Sequence, residues 1–541
     1  MPGDIESDAM ASQADCHLRH MPNAYDDEGI DPLDLDTPSK EAYEAEEEIL
    51  LVDHDDDFNT VVPRTHVRAR QLPVWLRYPR NVYHALIPSF LKASDPNAVQ
   101  KPLHPTAWLD GLRGVAAFFV VCHHWSLVTA NMNIHRGFMS DDNPMFIQLP
   151  IIRLVISGFW SVCVFFVISG FALSYKPLKL LGQHKTAEFA TAAASSAFRR
   201  HIRLFLPPAV TTFVIAWISY FGWFEIPTSG VAVPALRPPK FDRIYDQLWD
   251  WAMKLIGLSD PFGRNLQRGE GYPYEPTLWT IPIEFDCSLV VFLAHVAFSR
   301  LRTRVRLLMN IFLVAYTLYF NYWQYFLFLA GLLLANLHFY WLPALGNTLP
   351  YAAAAPGPQG RFARLSFSLT SSPTYSLSKK LLGTLSFLGA LWLLSYPKGT
   401  GTAGLSPGYK TLVAITPERY GEGEYLWIPL ASAWLVFSVD RAPFLQPLFT
   451  NKVIQYLGRI SYALYLVHGS LLWLYGWHLV RFFTGLSGAE TSGQFTFGVL
   501  LATCFFVPGV VCVADFTQRY LDANAVKFAA WFEGKLIDKR R

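Results

Sequence analysis

The chain has 541 residues, of which 52% are hydrophobic and only 16% are charged, and its formal net charge is +3. Soluble domains carry about 25% charged residues, and a soluble chain of this length would divide into several domains. The apolar residues are also concentrated in blocks. The composition therefore argues against a soluble protein and favours an integral membrane protein, and we expect no nucleic-acid partner.

The N-terminal segment, residues 1–62, differs from the rest of the chain in its charge. Its first 60 residues contain 19 Asp and Glu side chains but only two basic ones, Arg19 and Lys40. Because like charges repel and little apolar surface is available to bury, we predict a disordered acidic tail in the cytoplasm. No basic stretch is followed by an apolar one, so we expect no cleaved signal peptide. Residues 63–104 form a basic juxtamembrane segment.

Apolar segments long enough to span a membrane follow this basic stretch. A hydrocarbon core of about 30 Å requires about 20 helical residues, with a usable range of about 17–25. The candidates are 109–130, 152–175, 203–224, 278–299, 306–321, 324–342, 381–397, 424–440, 456–480 and 496–514. We therefore predict an all-α polytopic membrane protein with about ten transmembrane helices, of which the fifth and eighth are short.

Lys and Arg side chains alternate between the predicted loops. A basic stretch precedes the first span, and the loops after the second, fourth, sixth, eighth and tenth spans are richer in Lys and Arg than the others. Because cytoplasmic loops carry an excess of these residues, the pattern predicts that both termini are cytoplasmic. We expect an endomembrane, such as that of the endoplasmic reticulum, or the plasma membrane.

Segments outside the spans complete the predicted organisation. Residues 244–258 alternate polar and apolar side chains at helical spacing, which predicts a helix lying in the membrane interface. Residues 343–380 are rich in Ala, Pro, Ser and Gly and read as a flexible cytoplasmic insertion. The transmembrane domain is placed at 105–515, and a cytoplasmic amphipathic segment at 516–541. Five of the six cysteines lie in apolar segments without CxxC spacing, so we expect neither a disulfide framework nor a metal site.

Polar side chains inside the first span form one stripe. Arg113 and His124 are eleven residues apart, which at about 100° per residue brings them within about 20° of the same face. Asp110 shares this stripe, and His124 lies about 16 Å deeper than Arg113 at about 1.5 Å per residue. Arginine at the mouth suits a phosphate, and a buried histidine suits general-base chemistry on a hydroxyl. Alternatively, Arg113 only pairs with Asp110, and His124 only bonds a neighbouring helix.

The next two spans carry polar residues at their centre and edge. Ser169 lies in the sequence Phe-Phe-Val-Ile-Ser-Gly-Phe of the second span, where a Ser-Gly pair also permits close helix packing. The third span opens with Arg200 and Arg203, which are one helical turn apart. Such a pair could clamp phosphates, or it could simply mark the cytoplasmic end of the helix.

The fourth and ninth spans contribute two further groups of polar residues. Trp279 and Glu284 lie at the start of the fourth span, and an acid inside a span requires a partner such as an arginine. In the ninth span, Ser461, Tyr465 and His468 are spaced at i, i+4 and i+7 and therefore share one helix face.

Taken in order, these motifs resemble those of the acyltransferase 3 family of membrane O-acyltransferases. The shared elements are Leu109-Asp110-Gly111-Leu112-Arg113-Gly114 with His124, Phe165 to Phe171, Arg200 with Arg203, Trp279 with Glu284, and Ile460 to His468. The resemblance spans residues 105–515 and departs at Thr280-Ile281-Pro282, where the family more often has Ser-Leu followed by small or apolar residues. It implies a ten-helix bundle that moves an acyl group, commonly acetyl, from acyl-CoA to a hydroxyl of a sugar, lipid, peptide or small metabolite. It also implies that Arg113 and His124 are essential and that Arg200 and Arg203 lie near the donor.

Residue chemistry and resemblance together predict an integral membrane O-acyltransferase that uses acyl-CoA, in the first instance acetyl-CoA, as donor substrate, with no prosthetic group. The expected residues are His124, Arg113 and Asp110 for catalysis, Arg200, Arg203 and Arg113 for donor binding, and Ser169, Trp279, Glu284, Ser461, Tyr465 and His468 in support. The expected partners are acyl-CoA, a hydroxylated small-molecule, sugar or lipid acceptor, and membrane lipid. Two other functions stay open at this point. One is a transporter or flippase that uses the same polar residues as a substrate path, and the other is a scaffold that binds partners through the acidic tail.

Overall fold

A computed structural model describes residues 87–91, 103–130, 132–140, 144–225, 238–260, 272–346, 373–399, 401–488 and 490–537. Every regular element within these ranges is helical. The α-helices in chain order are α1 (Ala107–Thr129), α2 (Phe159–Gly182), α3 (Thr186–Tyr220), α4 (Ile244–Ser259), α5 (Thr280–Phe298), α6 (Thr303–Tyr319), α7 (Trp323–Gly346), α8 (Pro373–Leu394), α9 (Tyr409–Ile415), α10 (Glu424–Arg441), α11 (Pro447–Thr450), α12 (Lys452–Leu471), α13 (Trp477–Ser487), α14 (Ser492–Thr517) and α15 (Ala523–Leu536). Single π-helical turns at Leu472–Gly476 and Gln518–Asp522 join α12 to α13 and α14 to α15.

Each of the ten predicted spans coincides with a helical region of this structure. By length and apolar composition, six helices of the described chain can cross a membrane, and a bent pair at Glu424–Arg441 and Pro443–Thr450 adds a seventh if it is one span. The chain is therefore a multi-pass membrane protein. The predicted start of the second span at residue 152 is wrong. Residues Ile152–Ile156 form a 3-10 helix, and α2 begins only at Phe159.

The predicted interfacial helix is α4. Its exposed side chains include Tyr245, Trp249, Met253 and Ile256, which recur at helical spacing and form an apolar stripe on its outer side. The opposite side is attached to the bundle through the buried side chain of Gln247, whose amide donates to the hydroxyl of Tyr274 at 3.0 Å. An aromatic outer face on a helix fixed to the bundle is typical of a helix in the membrane interface.

Four predicted segments lie wholly or partly outside the described residues. One is the C-terminal segment at 516–541, of which residues 538–541 lie outside. The acidic tail at 1–62 lies outside them entirely. Of the juxtamembrane segment at 63–104, the structure describes residues 87–91 and 103–104. The ends of the predicted insertion at 343–380 belong to α7 and α8, and residues 347–372 lie outside the description.

Glycines produce the closest helix contacts of the bundle. A Cβ atom added to Gly114 on α1 would lie 2.3 Å from the backbone N of Gly458 on α12. A Cβ atom on Gly331 of α7 would lie 2.2 Å from the carbonyl oxygen of Val167 on α2. Residues without side chains let helices approach backbone to backbone, as is common between transmembrane helices. We call the contact of Gly114 with Gly458 the glycine crossing.

Helices α1 and α12 run parallel from the glycine crossing. Ten residues further along both helices, the rings of His124 and His468 meet with their centroids 5.1 Å apart. The two contacts have the same offset on both helices, which requires the helices to point in the same direction. Ten residues of α-helix rise about 15 Å, so the two histidines lie about 15 Å beyond the glycine crossing.

The substitution Gly114→Ala should destabilise the bundle. Its Cβ atom would meet backbone atoms that cannot rotate away, and overpacking of this kind costs about 1–3 kcal/mol. We expect a lower midpoint of thermal unfolding in detergent. The matched control is Gly485→Ala on α13, where an added Cβ meets nothing within 4 Å. An unchanged midpoint for Gly114→Ala would contradict the role of the glycine crossing.

Candidate active site

A cavity of about 1070 Å³, open mouth included, lies between α1, α2, α3, α5, α12 and the turn before α15. Its polar lining residues are Arg113, Ser169, Arg200, Arg203, Thr280, Glu284, Ser461, Tyr462, Tyr465 and Asp522. Seven of these were selected from the sequence as site residues, and they come from five different helices. The remaining lining is mainly apolar, and an apolar cleft with a few convergent polar groups is typical of a small-molecule site.

An ion pair holds the wall formed by α3 and α5. The Nη2 atom of Arg200 donates to Oε1 of Glu284 at 2.8 Å, and its Nε donates to the hydroxyl of Ser288 at 3.0 Å. The hydroxyl of Ser169 donates to the same carboxylate oxygen at 3.2 Å. Arg200 is thus the arginine partner that Glu284 was predicted to need. Pro282 lies in the first turn of α5, where its missing N–H removes no intrahelical hydrogen bond, so it does not displace Glu284.

The guanidinium of Arg113 is shared between its own helix and α12. Its Nη2 atom lies 3.3 Å from a carboxylate oxygen of Asp110 and donates to the carbonyl oxygen of Gly458 at 3.2 Å. Its buried Nε atom has no hydrogen-bond partner among the described residues. The sequence left two positions open for Arg113, at a site or paired with Asp110. The structure shows both, because Arg113 pairs with Asp110 and also lines the cavity. Asp110 itself is not among the lining residues described.

The sequence reasoning missed Asp522 as a cavity residue. Asp522 is the last residue of a π-helical turn, is 7% exposed, and lines the cavity within electrostatic reach of Arg203 and Arg113. It belongs to the segment at 516–541, which the prediction placed beyond the transmembrane domain. The available signal was a second acid seven residues after Asp515, on the same face of a helix that continues from the last span.

Helix α12 supplies another wall of the cavity. The hydroxyl of Tyr465 donates to the carbonyl oxygen of Thr277 and lies 2.6 Å from the hydroxyl of Thr280. One turn earlier, the hydroxyl of Ser461 is buried at the cavity wall and has no partner within the described part of the chain. A buried hydroxyl without a partner is rare in proteins and marks a position where a ligand atom can bind.

The two histidines predicted for the site lie beyond the cavity wall. His124 is one helical turn after the lining residue Val120 on α1, and its ring packs against His468, whose ring centroid is 6.0 Å from that of Tyr465. Neither histidine is among the lining residues, and Trp279 at the start of α5 is not among them either. A chain of ring contacts therefore runs from Tyr465 at the cavity wall to His468 and then to His124.

Hydrogen bonds next to this histidine pair connect the segments before α5 and α2 to the neighbouring helices. Buried Glu275 accepts hydrogen bonds from the hydroxyls of Thr277 at 2.8 Å and Ser470 at 2.5 Å, and its burial raises the pKa of the carboxyl group. The Nδ1 atom of His123 donates to the carbonyl oxygen of Ile156 at 2.6 Å. These bonds fasten the segment before α5 to α12, and the turn before α2 to α1.

The ring of His135 lies next to that of His123, with the centroids 5.4 Å apart. Burial lowers the pKa of His135 to about 4, and electrostatic repulsion from His123 and Arg153 acts in the same direction. The cysteines in the described ranges are free. Within those same ranges, no group of three or more His, Cys, Asp or Glu side chains could hold a metal ion.

Comparisons with known proteins find a family and several relatives. A family model described as an acyltransferase domain matches residues 106–517. The chain is 37% identical over 487 residues to the O-acetyltransferase PaAT-1 of Phomopsis amygdali. The aligned region covers 88% of this chain and 93% of that protein. The chain is 25% identical over 467 residues to the acyltransferase R4 of a Phoma species, and 23% identical over 464 residues to the acyltransferase clz18 of Cochliobolus lunatus, each covering 79% of this chain and 95% of the relative. No solved structure matches the chain.

The substitution Glu284→Gln should lower the midpoint of thermal unfolding, because Arg200 would lose its counter-charge in a partly buried position. A hydrogen bond to a charged group contributes about 1.5–3 kcal/mol. The matched control is Glu188→Gln, which removes a pair with Lys185 whose side chains are 48% and 50% exposed, where we expect under about 1 kcal/mol. Equal losses in the two variants would show that Glu284 has no special role in the fold.

Proposed function

The chain belongs to the acyltransferase 3 family and is an O-acyltransferase, and from that premise we propose that it moves an acyl group, in the first instance acetyl, from acyl-CoA to a hydroxyl of a small-molecule, sugar or lipid acceptor. The observation that carries this proposal is the shared cavity. Three arginines, Arg113, Arg200 and Arg203, face the same space as the hydroxyls of Ser461 and Tyr465. One side of this space suits an anion, and the other leads to two imidazole rings.

The arginine side of the cavity suits the phosphate groups of acyl-CoA. Guanidinium groups bind phosphate oxygens through paired N–H donors, and their charge is permanent. Glu284 and Ser288 hold the guanidinium of Arg200 in one orientation, and the buried Nε of Arg113 retains an unused donor among the described contacts. A donor site assembled before the ligand arrives loses less conformational freedom on binding. We assign donor binding to Arg113, Arg200 and Arg203.

The chemical step requires a base for the acceptor hydroxyl, and we assign this role to His124. As the hydroxyl oxygen attacks the thioester carbonyl carbon, its proton passes to His124. Collapse of the tetrahedral adduct breaks the C–S bond, and the CoA sulfur leaves with the proton from His124. The products are the ester and free CoA, and His124 returns to its neutral form. Asp110 supports the reaction indirectly by holding Arg113, and no covalent enzyme intermediate is needed.

We further propose that the protein has ten spans and that both of its termini are cytoplasmic. The membrane is an endomembrane or the plasma membrane. Helix directions support the count. Rings of Trp108 and Phe119 on α1 meet those of Phe171 and Trp160 on α2, so these two helices are antiparallel. Helices α1 and α12 are parallel, as the first and ninth of ten spans must be. The cationic end of the cavity then faces cytoplasmic acyl-CoA.

The substitution His124→Ala should reduce acyl transfer by about 10²–10⁴-fold, the usual contribution of a general base. The assay incubates purified protein in detergent with labelled acetyl-CoA and candidate alcohols, and size-exclusion chromatography checks folding. The control is His478→Ala, which removes an exposed imidazole on α13. Full transfer by a folded His124→Ala variant would remove His124 as the base.

The substitution Arg203→Gln should weaken equilibrium binding of acetyl-CoA by about 10–100-fold, since it removes a charged hydrogen-bond donor from the cavity. The control is Arg199→Gln on the same helix, because Arg199 pairs with Glu533 at 3.2 Å and does not belong to the described lining. Unchanged binding by the Arg203 variant, or equal losses in both, would place the donor elsewhere.

A further inference from the structure

One ring nitrogen of His468 is hydrogen-bonded, and the other has no partner among the described residues. Its Nδ1 atom lies 2.8 Å from the carbonyl oxygen of Tyr465 and 3.1 Å from that of Leu464. Carbonyl oxygens only accept hydrogen bonds, so Nδ1 carries the proton and Nε2 of the neutral ring presents a lone pair. The ring is fully buried, and this Nε2 atom has no partner in the described part of the chain. A buried acceptor without a partner is unfavourable and calls for a ligand or a mechanistic role.

His124 is placed to supply the missing donor. The two rings are 5.1 Å apart between centroids and inclined at 48°. An N–H···N bond of about 2.9 Å between two imidazoles separates their centroids by about 5 Å. The observed separation is therefore the one that a hydrogen-bonded pair of imidazoles requires. The glycine crossing holds the helix pair at this separation, and His124 makes no hydrogen bond with the other described residues.

We propose that His468 is a positioning residue that accepts an N–H hydrogen bond from His124 and so stabilises the imidazolium formed during acyl transfer. This inference rests on the function proposed above. One ring nitrogen of His124 takes the proton of the acceptor hydroxyl while the other donates its N–H to Nε2 of His468. When the C–S bond breaks, the first proton passes to the leaving sulfur. His468 keeps its own Nδ1 proton throughout and touches no reacting atom.

The other titratable side chains around the pair are less suited to this part. The ring of His123 lies 5.2 Å from that of His124. Its Nδ1 donates to the carbonyl oxygen of Ile156, and the ring edge that carries its Nε2 lies against Gly158. The hydroxyl of Tyr465 already donates to a carbonyl oxygen. Glu275 adjoins Gly469, the residue after His468, but its carboxylate is bonded to two hydroxyls. Among these neighbours, only His468 has a buried ring nitrogen that lacks a hydrogen-bond partner within the described residues.

Two substitutions separate the two nitrogens of His468. In His468→Asn the amide nitrogen takes the place of Nδ1 and can donate to the same carbonyls, but the acceptor at Nε2 is lost. In His468→Gln the amide oxygen takes the place of Nε2, and the acceptor is kept. We expect His468→Asn to lower kcat about 10–100-fold with unchanged KM for acetyl-CoA, and His468→Gln to restore most of this loss.

The pH dependence adds a readout that a purely structural role would not move. His124 acts as a base only in its neutral form, and its protonated form is less stable without the acceptor on His468. The acidic limb of the pH–rate profile should therefore move to lower pH in His468→Asn and stay near its original position in His468→Gln. Rates are referred to the folded fraction measured by size-exclusion chromatography.

Two results would overturn the inference while leaving the proposed function intact. One is a His468→Asn variant with the kcat and acidic limb of the unsubstituted enzyme, alongside an inactive His124→Ala. The other is equal loss of kcat in the Asn and Gln variants with no shift of the limb. Failure of the proposed function looks different, because the unsubstituted enzyme would then transfer no acyl group or His124→Ala would stay fully active.

Discussion

Backbone meets backbone where α1 crosses α12, because Gly114 and Gly458 place no side chains between the helices. Lipid tails are as apolar as helix surfaces, so transmembrane helices associate through close packing and polar contacts rather than through the hydrophobic effect. This contact brings Arg113 within reach of the carbonyl oxygen of Gly458. Because the helices continue in parallel, it also brings His124 to His468 about three turns further on. Both ends of the candidate site therefore depend on one contact.

The cavity brings three arginines together with acidic side chains. Bringing several arginines together in a poorly solvated space is unfavourable unless acids and hydrogen bonds offset the repulsion. Glu284 pairs with Arg200 at 2.8 Å, Asp110 pairs with Arg113 at 3.3 Å, and Asp522 faces the same space. These acids fix the guanidinium groups before a substrate arrives, which is how a preorganised anion site is built.

Depth divides the two chemical tasks of the site. The charged residues occupy the cavity itself, whereas the histidine pair lies behind Tyr465, where hydrogen bonds of Glu275 and His123 hold the surrounding segments. An imidazole acts as a base only in its neutral form. The arrangement thus keeps the arginines and the histidine pair apart, while the parallel helices α1 and α12 connect them.

The sequence by itself determined which segments are helical and which side chains share a face of each helix. That information is local, because the period of 3.6 residues relates a side chain only to the axis of its own helix. It correctly grouped Ser461 with Tyr465 and indicated that Glu284 needs an arginine. Helix ends are less well defined by periodicity, and α2 accordingly begins at Phe159 instead of residue 152.

Only the tertiary structure decided how these faces meet, since the rotation of one helix against another depends on packing at contacts such as the glycine crossing. Seven of the selected residues share a cavity, while His124, His468, Trp279 and Asp110 lie outside its lining. Asp522 joins the cavity because the π-helical turn before α15 packs against it, and a helix face read from the sequence does not specify that packing. The bare nitrogen of His468 likewise depends on which carbonyl oxygens surround its ring, and those positions exist only in the folded chain.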